Sequence, residues 1–206
     1  MRRNRRALSA LVLVVVLAAC GSDDQQPAAT GDATTTSSTA PPTSSTTTEP
    51  AEACSAAALS NTATDDQAEL PPAVAETRAA IIEAAVACDL DRLEELSVEG
   101  DGQFSYSFGA TSPEGLADHL REREAEGEEI VRILVETLRL PYVSEAGTVA
   151  WPSAHQQSPS ESDWDALRTL YRDEEVDAWR SGGSGFLGYR VGITEAGDWQ
   201  FFIAGD

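Results

Sequence analysis

The chain has 206 residues, 35 of them acidic and 14 basic, for a formal net charge of −21. Every basic residue is Arg, and the carboxylate excess argues against a nucleic-acid partner, because phosphate binding depends on Lys/Arg neutralisation. Once its low-complexity part is set aside, the length suits a single globular core.

Residues 1–19 read as an export signal. Arg2, Arg3, Arg5 and Arg6 precede an apolar run, Ala7–Ala19, broken only by Ser9. A helix of that length rises only ~20 Å against a hydrocarbon core of ~30 Å, too short to span it. The run ends Leu17-Ala18-Ala19-Cys20-Gly21. This ending resembles the lipobox of bacterial lipoproteins, which implies a diacylglycerol on the Cys20 thiol and cleavage just before it. The mature chain would then keep 10 basic and 35 acidic residues, a net −25, on the extracytoplasmic face of the cell membrane. Two or three acyl chains anchor stably, since each buried CH₂ adds ~0.8 kcal/mol. The expected partner is thus the membrane through its lipid anchor; a protein or small-molecule partner is not specified by the sequence.

Residues 20–69 read as a tether. Between Gly21 and Ala53 there is no aromatic residue and no Val, Ile, Leu or Met, while Thr, Ser, Pro and Ala dominate. So little apolar surface does not offset the ordering entropy, and disorder is expected, apart from what a bridge holds near Cys54. With Cys20 lipidated, Cys54 and Cys88 are the two thiols left in an oxidising compartment, and a disulfide is the natural pairing. It would contribute roughly 3–4 kcal/mol in the chain-entropy account and pin Ser55–Glu69 to the first long helix.

The folded part is expected over 70–206. Pro72 suits a first helical turn, and Ile81, Ile82, Ala85 and Val86 continue at helical spacing. Asp89 is placed to cap a second helix carrying Leu90, Leu93 and Leu96. Phe104, Tyr106 and Phe108 alternate with serines as a half-buried strand. Ser112-Pro113-Glu114 reads as the start of a helix running to Glu126, with another over 128–138. Thr148–Trp151 reads as a short strand that Pro152 makes an edge or ends. Ser162 is expected to cap a helix with Trp164 and Leu167, and Asp173 a shorter one through Trp179. Strands over 187–194 and 199–204 close the chain as a hairpin. The return strand is apolar on both faces except at Gln200, so it is expected to be central and covered on both sides. Helices would cover one face, Phe202 would lie near the cavity or second packing layer that Arg190 borders, and Phe201→Ala would cost about 3–5 kcal/mol. The fold class is α+β, with helices on a small antiparallel sheet.

The order helix, Asp89-Leu90-Asp91, helix, aromatic strand over Ala79–Phe108 loosely resembles the opening of the nuclear transport factor 2-like superfamily, a cone of helices around a curved sheet. Gly188-Tyr189-Arg190-Val191-Gly192-Ile193 and Trp199–Asp206 are similar to the end of an uncharacterised family of exported bacterial proteins. That second resemblance implies no activity.

Candidate chemistry is sparse. His119 has Glu122 one turn on, but apolar neighbours make it a helix-flank residue. His155 follows the strand that carries Trp151, in a loop position suited to function. Arg190, within a strand, suits either an ion pair or an anionic ligand. Glu122, Glu124, Glu126, Glu128 and Glu129 lack the pattern of a calcium loop and read as a solvated face. Gly182-Gly183-Ser184-Gly185 matches neither a phosphate-binding loop nor a nucleophile elbow. No cofactor and no metal is expected. Two readings remain: a non-catalytic interaction or small-ligand-binding module, and a small cone-shaped enzyme with Tyr106, Trp151, His155 and Arg190 around one apolar pocket.

Overall fold

The computed structural model describes residues 54–61, 67–100, 104–106 and 115–205. The expected export signal, the Cys20 acylation site and the stretch to residue 53 lie outside the described residues. Helix α1 (Pro72–Val86) buries Val74, Arg78, Ile81, Ile82 and Ala85 on one side. Pro72 sits in the first turn, where its missing N–H has no intrahelical partner to lose. At the other end the chain turns at Cys88, whose φ of 56° is a left-handed value normally given to Gly. Asp89 then accepts from the Arg92 N–H at 3.0 Å and starts α2 (Leu90–Val98).

Helix α3 (Leu116–Ala125) begins after Gly115, while the expected start at 112–114 lies outside the described residues. Its first N–H groups are capped from a distance: those of Gly115 and Ala117 donate to Glu94 Oε2 on α2, at 3.3 and 3.0 Å. Gly127 reverses the chain with φ 86° into α4 (Ile130–Arg139). Ile130, Val131, Leu134, Val135 and Leu138 are fully buried, so α4 is the central helix of the main core.

The sheet has four antiparallel strands in sequential order: β1 (Val143–Glu145), β2 (Thr148–Trp151), β3 (Arg190–Thr194) and β4 (Trp199–Ile203). β1 was not legible in the sequence. It joins β2 through Ala146 and Gly147, both with positive φ, as a two-residue hairpin turn requires. β2 is therefore internal rather than an edge; Pro152 ends it without interrupting a ladder. Beyond β4 a parallel bridge joins Ser105 to Phe201, and the rest of the expected aromatic strand, to Phe108, lies outside the described residues.

Between β2 and β3 lies a second small core. Helix α5 (Glu161–Leu167) starts from Ser160, not Ser162, because Asp163 completes a capping box there. Helix α6 (Asp173–Gly182) has Asp173 as its first residue rather than its cap. Trp164, Leu167, Val176 and Phe186 are buried together, with Tyr171 and Trp179 packed on them. Among the described residues no helix is long and apolar enough to cross a membrane. The architecture is α+β, as the element order implies.

Helices α1 and α4 pack on β3, and the register decides which side chains meet them. Trp151, Val191 and Phe202 are cross-strand partners, and all three are buried. Phe202 thus points into the main core and not toward Arg190. The expected double cover of β4 is not found: only Trp199 and Phe202 are buried, and Phe201 is half-buried on the opposite face. There Phe201 lies over Gly192, where a Cβ would come within 2.2 Å of its ring. The missing side chain of Gly192 is what seats the ring. The large truncation cost belongs to Phe202, and Phe202→Ala should cost about 3–5 kcal/mol. Phe201→Ala should cost nearer 1 kcal/mol. Urea unfolding of both variants checks the order; equal losses would contradict this register.

The ordered fold extends further toward the N-terminus than composition suggests. Cys54 and Cys88 form the expected disulfide, with Cα atoms 5.6 Å apart, and Ala56 is fully buried. Because Cys88 sits at a left-handed position that costs a Cβ-bearing residue about 1 kcal/mol, two ways of removing the bridge should differ. Cys88→Gly should be the more stable of the pair Cys88→Gly and Cys88→Ala by about that amount. Denaturant midpoints compare them directly, and the reverse order would contradict the assigned turn.

Candidate functional site

Four side chains were expected around one pocket, and the sheet distributes them. Trp151 is fully enclosed: its indole Nε1 donates to Gln67 Oε1 at 3.1 Å, and the Tyr142 ring lies 5.8 Å away. Gln67 turns its Nε2 to the Leu138 and Leu140 carbonyls at 3.3 and 2.8 Å. The Trp151 ring is therefore committed to the core. Tyr106 is half-buried at the far side of β4, stacked on Phe104 at 6.4 Å and tilted on His119 at 5.0 Å. It faces α3, whereas Arg190 alternates with buried Val191 and faces away from the helices.

Of the four, His155 and Arg190 are near enough for the guanidinium charge to act on the imidazole. His155 lies in the short 3₁₀ turn Ser153–His155 after β2, held by Ser153, whose N–H donates to the Pro141 carbonyl at 2.6 Å. Arg190 opens β3 and donates from Nη2 to the Gly205 carbonyl. Burial lowers the His155 pKa first, and the nearby Arg190 charge lowers it further, while Glu145 on β1 opposes both. With its pKa lowered, the His155 imidazole is neutral at neutral pH.

A second polar centre was not foreseen. The Tyr189 hydroxyl donates to Glu128 Oε1 at 2.5 Å, and Arg123 pairs with the same carboxylate. Burial and Glu128 push the Tyr189 pKa up. Tyr171 accepts from the Tyr189 N–H at 2.9 Å, and burial pushes its phenol up to about 12. Both phenols therefore keep their protons at neutral pH. Glu124 takes the Ser55 N–H, the Ser55 hydroxyl and the Val131 N–H at 2.8, 2.7 and 2.9 Å. Two members of the acidic run are thus structural anchors, not a solvated face. Spacing along one helix gave no hint of this, because their partners come from distant segments.

One concavity among the described residues is a cleft of about 180 Å³ between α1, the end of α2 and the β3–β4 turn. Glu76, Glu99 and Asp198 stand at its rim, with Leu96 and Trp199 below. Gly100 and Gly197 form it: a Cβ on Gly100 would strike the Asp198 carboxylate at 2.6 Å, and one on Gly197 would meet Ala73 at 3.2 Å. Thr77 fixes the turn by donating to the Gly197 carbonyl at 2.6 Å. None of the four expected pocket residues lines it. Among the described residues no cluster of three or more metal-ligating side chains occurs.

Comparison with known proteins finds no family model that matches the sequence, no similar curated protein and no solved structure that matches the fold.

Both imidazoles respond to pH in the same sense. Burial lowers the His119 pKa, and Arg123 lowers it further. With folded values below the ordinary 6.5, the unfolded chain takes up protons first as pH falls. The stability contributed by the neutral imidazoles is complete above pH 6.5 and is lost below it. Replacing both His119 and His155 by Gln should flatten the fall in urea midpoint just below that pH. An unchanged slope would show that neither imidazole is shielded as described.

Proposed function

We propose that this chain is an exported lipoprotein, held on the extracytoplasmic face of the cell membrane by acyl chains on Cys20. Its α+β domain acts there as a non-catalytic interaction or small-ligand-binding module. The observation that carries the reading is the cysteine pairing. Of three cysteines, Cys54 and Cys88 are joined to each other, as suits an oxidising compartment, and Cys20 is the one left over. That residue follows a basic start and an apolar run too short to span a bilayer.

The module reading is supported by how the domain spends its polar side chains. Arg78 Nε donates to the Leu138 carbonyl, Gln67 bridges Trp151 to α4, and Glu94 and Glu124 cap helices. The two histidines stand apart, His119 on α3 packed on the Tyr106 ring and His155 in the turn after β2.

Mass spectrometry of the mature protein tests the anchor. The intact mass should exceed that of polypeptide 20–206 by a diacylglyceryl group at least, and the protein should partition into detergent. Cys20→Ala should abolish both. A mutant that keeps its detergent partition and its processing would overturn the lipoprotein reading.

A further inference from the structure

Helix α4 borrows its N-terminal cap. The first N–H groups of a helix have no intrahelical partner, and the residue before α4, Glu129, makes no side-chain cap bond. The Val131 N–H instead donates to Glu124 Oε1 at 2.9 Å, and the Arg132 N–H to Ser55 Oγ at 2.9 Å. Ser55 also locks Glu124 in place, donating to both carboxylate oxygens. One serine, far away in sequence, thus completes the start of the helix that centres the main core.

Besides these bonds, the turn that carries Ser55 is held by the partly buried packing of Cys54 and Leu59 against the main core. Within Cys54–Ser60 only Ala56 is fully buried, and the Ser60 carbonyl accepts from Arg139 at the other end of α4. Ordering a short turn of mostly small residues costs chain entropy that a few hydrogen bonds offset poorly. Its one covalent hold is the bond from Cys54 to Cys88 at the end of α1. Both cysteines are half-buried, so the bridge lies at the margin of the core and not within it.

We infer that the Cys54–Cys88 bridge is a redox latch on α4: oxidised, it holds the Ser55 cap in place, and reduced by a dithiol it releases the cap and loosens the first turn of the helix. In the reaction, a thiolate of the dithiol attacks one sulfur and the other cysteine leaves as thiolate. The second thiol of the reductant then resolves the mixed disulfide. Two electrons and two protons pass to this chain, which ends as two thiols, and the reductant ends as a disulfide. The latch does not depend on acylation at Cys20; only its setting in an envelope does, so the two readings fail separately.

Amide hydrogen exchange on the full mature chain, oxidised and then reduced with dithiothreitol, tests the latch. Reduction should speed exchange at Val131 and Arg132 at least tenfold while the amides of Ile81 and Ile82 in α1 keep theirs. Ser55→Ala, with the bridge intact by mass, should reproduce the acceleration at Arg132 without any reduction. Unchanged exchange at Val131 and Arg132 after complete reduction would overturn the proposal. So would an equal acceleration in every helix, because the bridge would then be only a global staple. A Ser55→Ala protein with full protection at Arg132 would equally remove the cap from the account.

Discussion

The carbonyl groups at the C-terminal end of α4 are buried, and helix geometry leaves them without partners of their own. They are satisfied from two directions. Arg78 on α1 donates its Nε to the Leu138 carbonyl at 2.9 Å, and the Gln67 amide donates to both Leu138 and Leu140. Gln67 then uses its own oxygen to accept from Trp151 on β2. This node fixes α1, α4, the sheet and the segment before α1 relative to one another. A buried polar network of this kind specifies a unique arrangement as long as every member is satisfied, and losing one partner is costly. The helix that the node holds at one end is the helix that Ser55 caps at the other, so both ends of α4 depend on residues preceding Pro72.

Charge acts on a different scale. The Arg side chains are drawn into local pairs: Arg92 with Glu95 and Glu99, Arg121 with Asp91 and Asp118, Arg168 with Asp173 and Asp177, and Arg180 with Glu161. Exposed pairs of this type each add little to stability. Their larger effect is on the outward field: the cations are spent close to home, and the surplus carboxylates face solvent. A domain with this balance is repelled by an anionic surface, and screening limits that repulsion to about 8 Å at physiological salt. A tether of the proposed length would keep the domain beyond this range.

Much of the fold could be read from local rules, because local physics decides those parts. Spacing marks α1 and α2, Asp89 caps where a cap is expected, and the Glu195–Asp198 turn closes the final hairpin. β1 was invisible because a three-residue strand exposed over Ser144 and Glu145 carries no alternation. The start of α5 turned on Asp163 lying three residues after Ser160, which ranks one serine above another. The structural roles of Ser55 and Gln67 were hidden by a composition that reads as linker; only long-range contacts reveal them. For the candidate site the difficulty was register. Tyr106, Trp151 and Arg190 all lie on or beside strands, and a shift of one residue exchanges the faces on which they stand. The sequence could nominate these residues but could not say which faces they would occupy.

The bridge also determines what happens when the chain is pulled from its N-terminal side. Tension arriving at residue 53 reaches Cys54 and passes through a covalent bond to Cys88, between α1 and α2. The intervening sequence, with its separation of 34, is shielded from extension. Fully drawn out, that stretch would add roughly 115 Å of contour at 3.3–3.6 Å per residue. In its oxidised form the domain presents a short, inextensible fastening to whatever holds it. Once the bond is reduced, Ser55, Gln67 and α1 itself would lie in series with the load, and the same pull would work directly on the supports at both ends of α4.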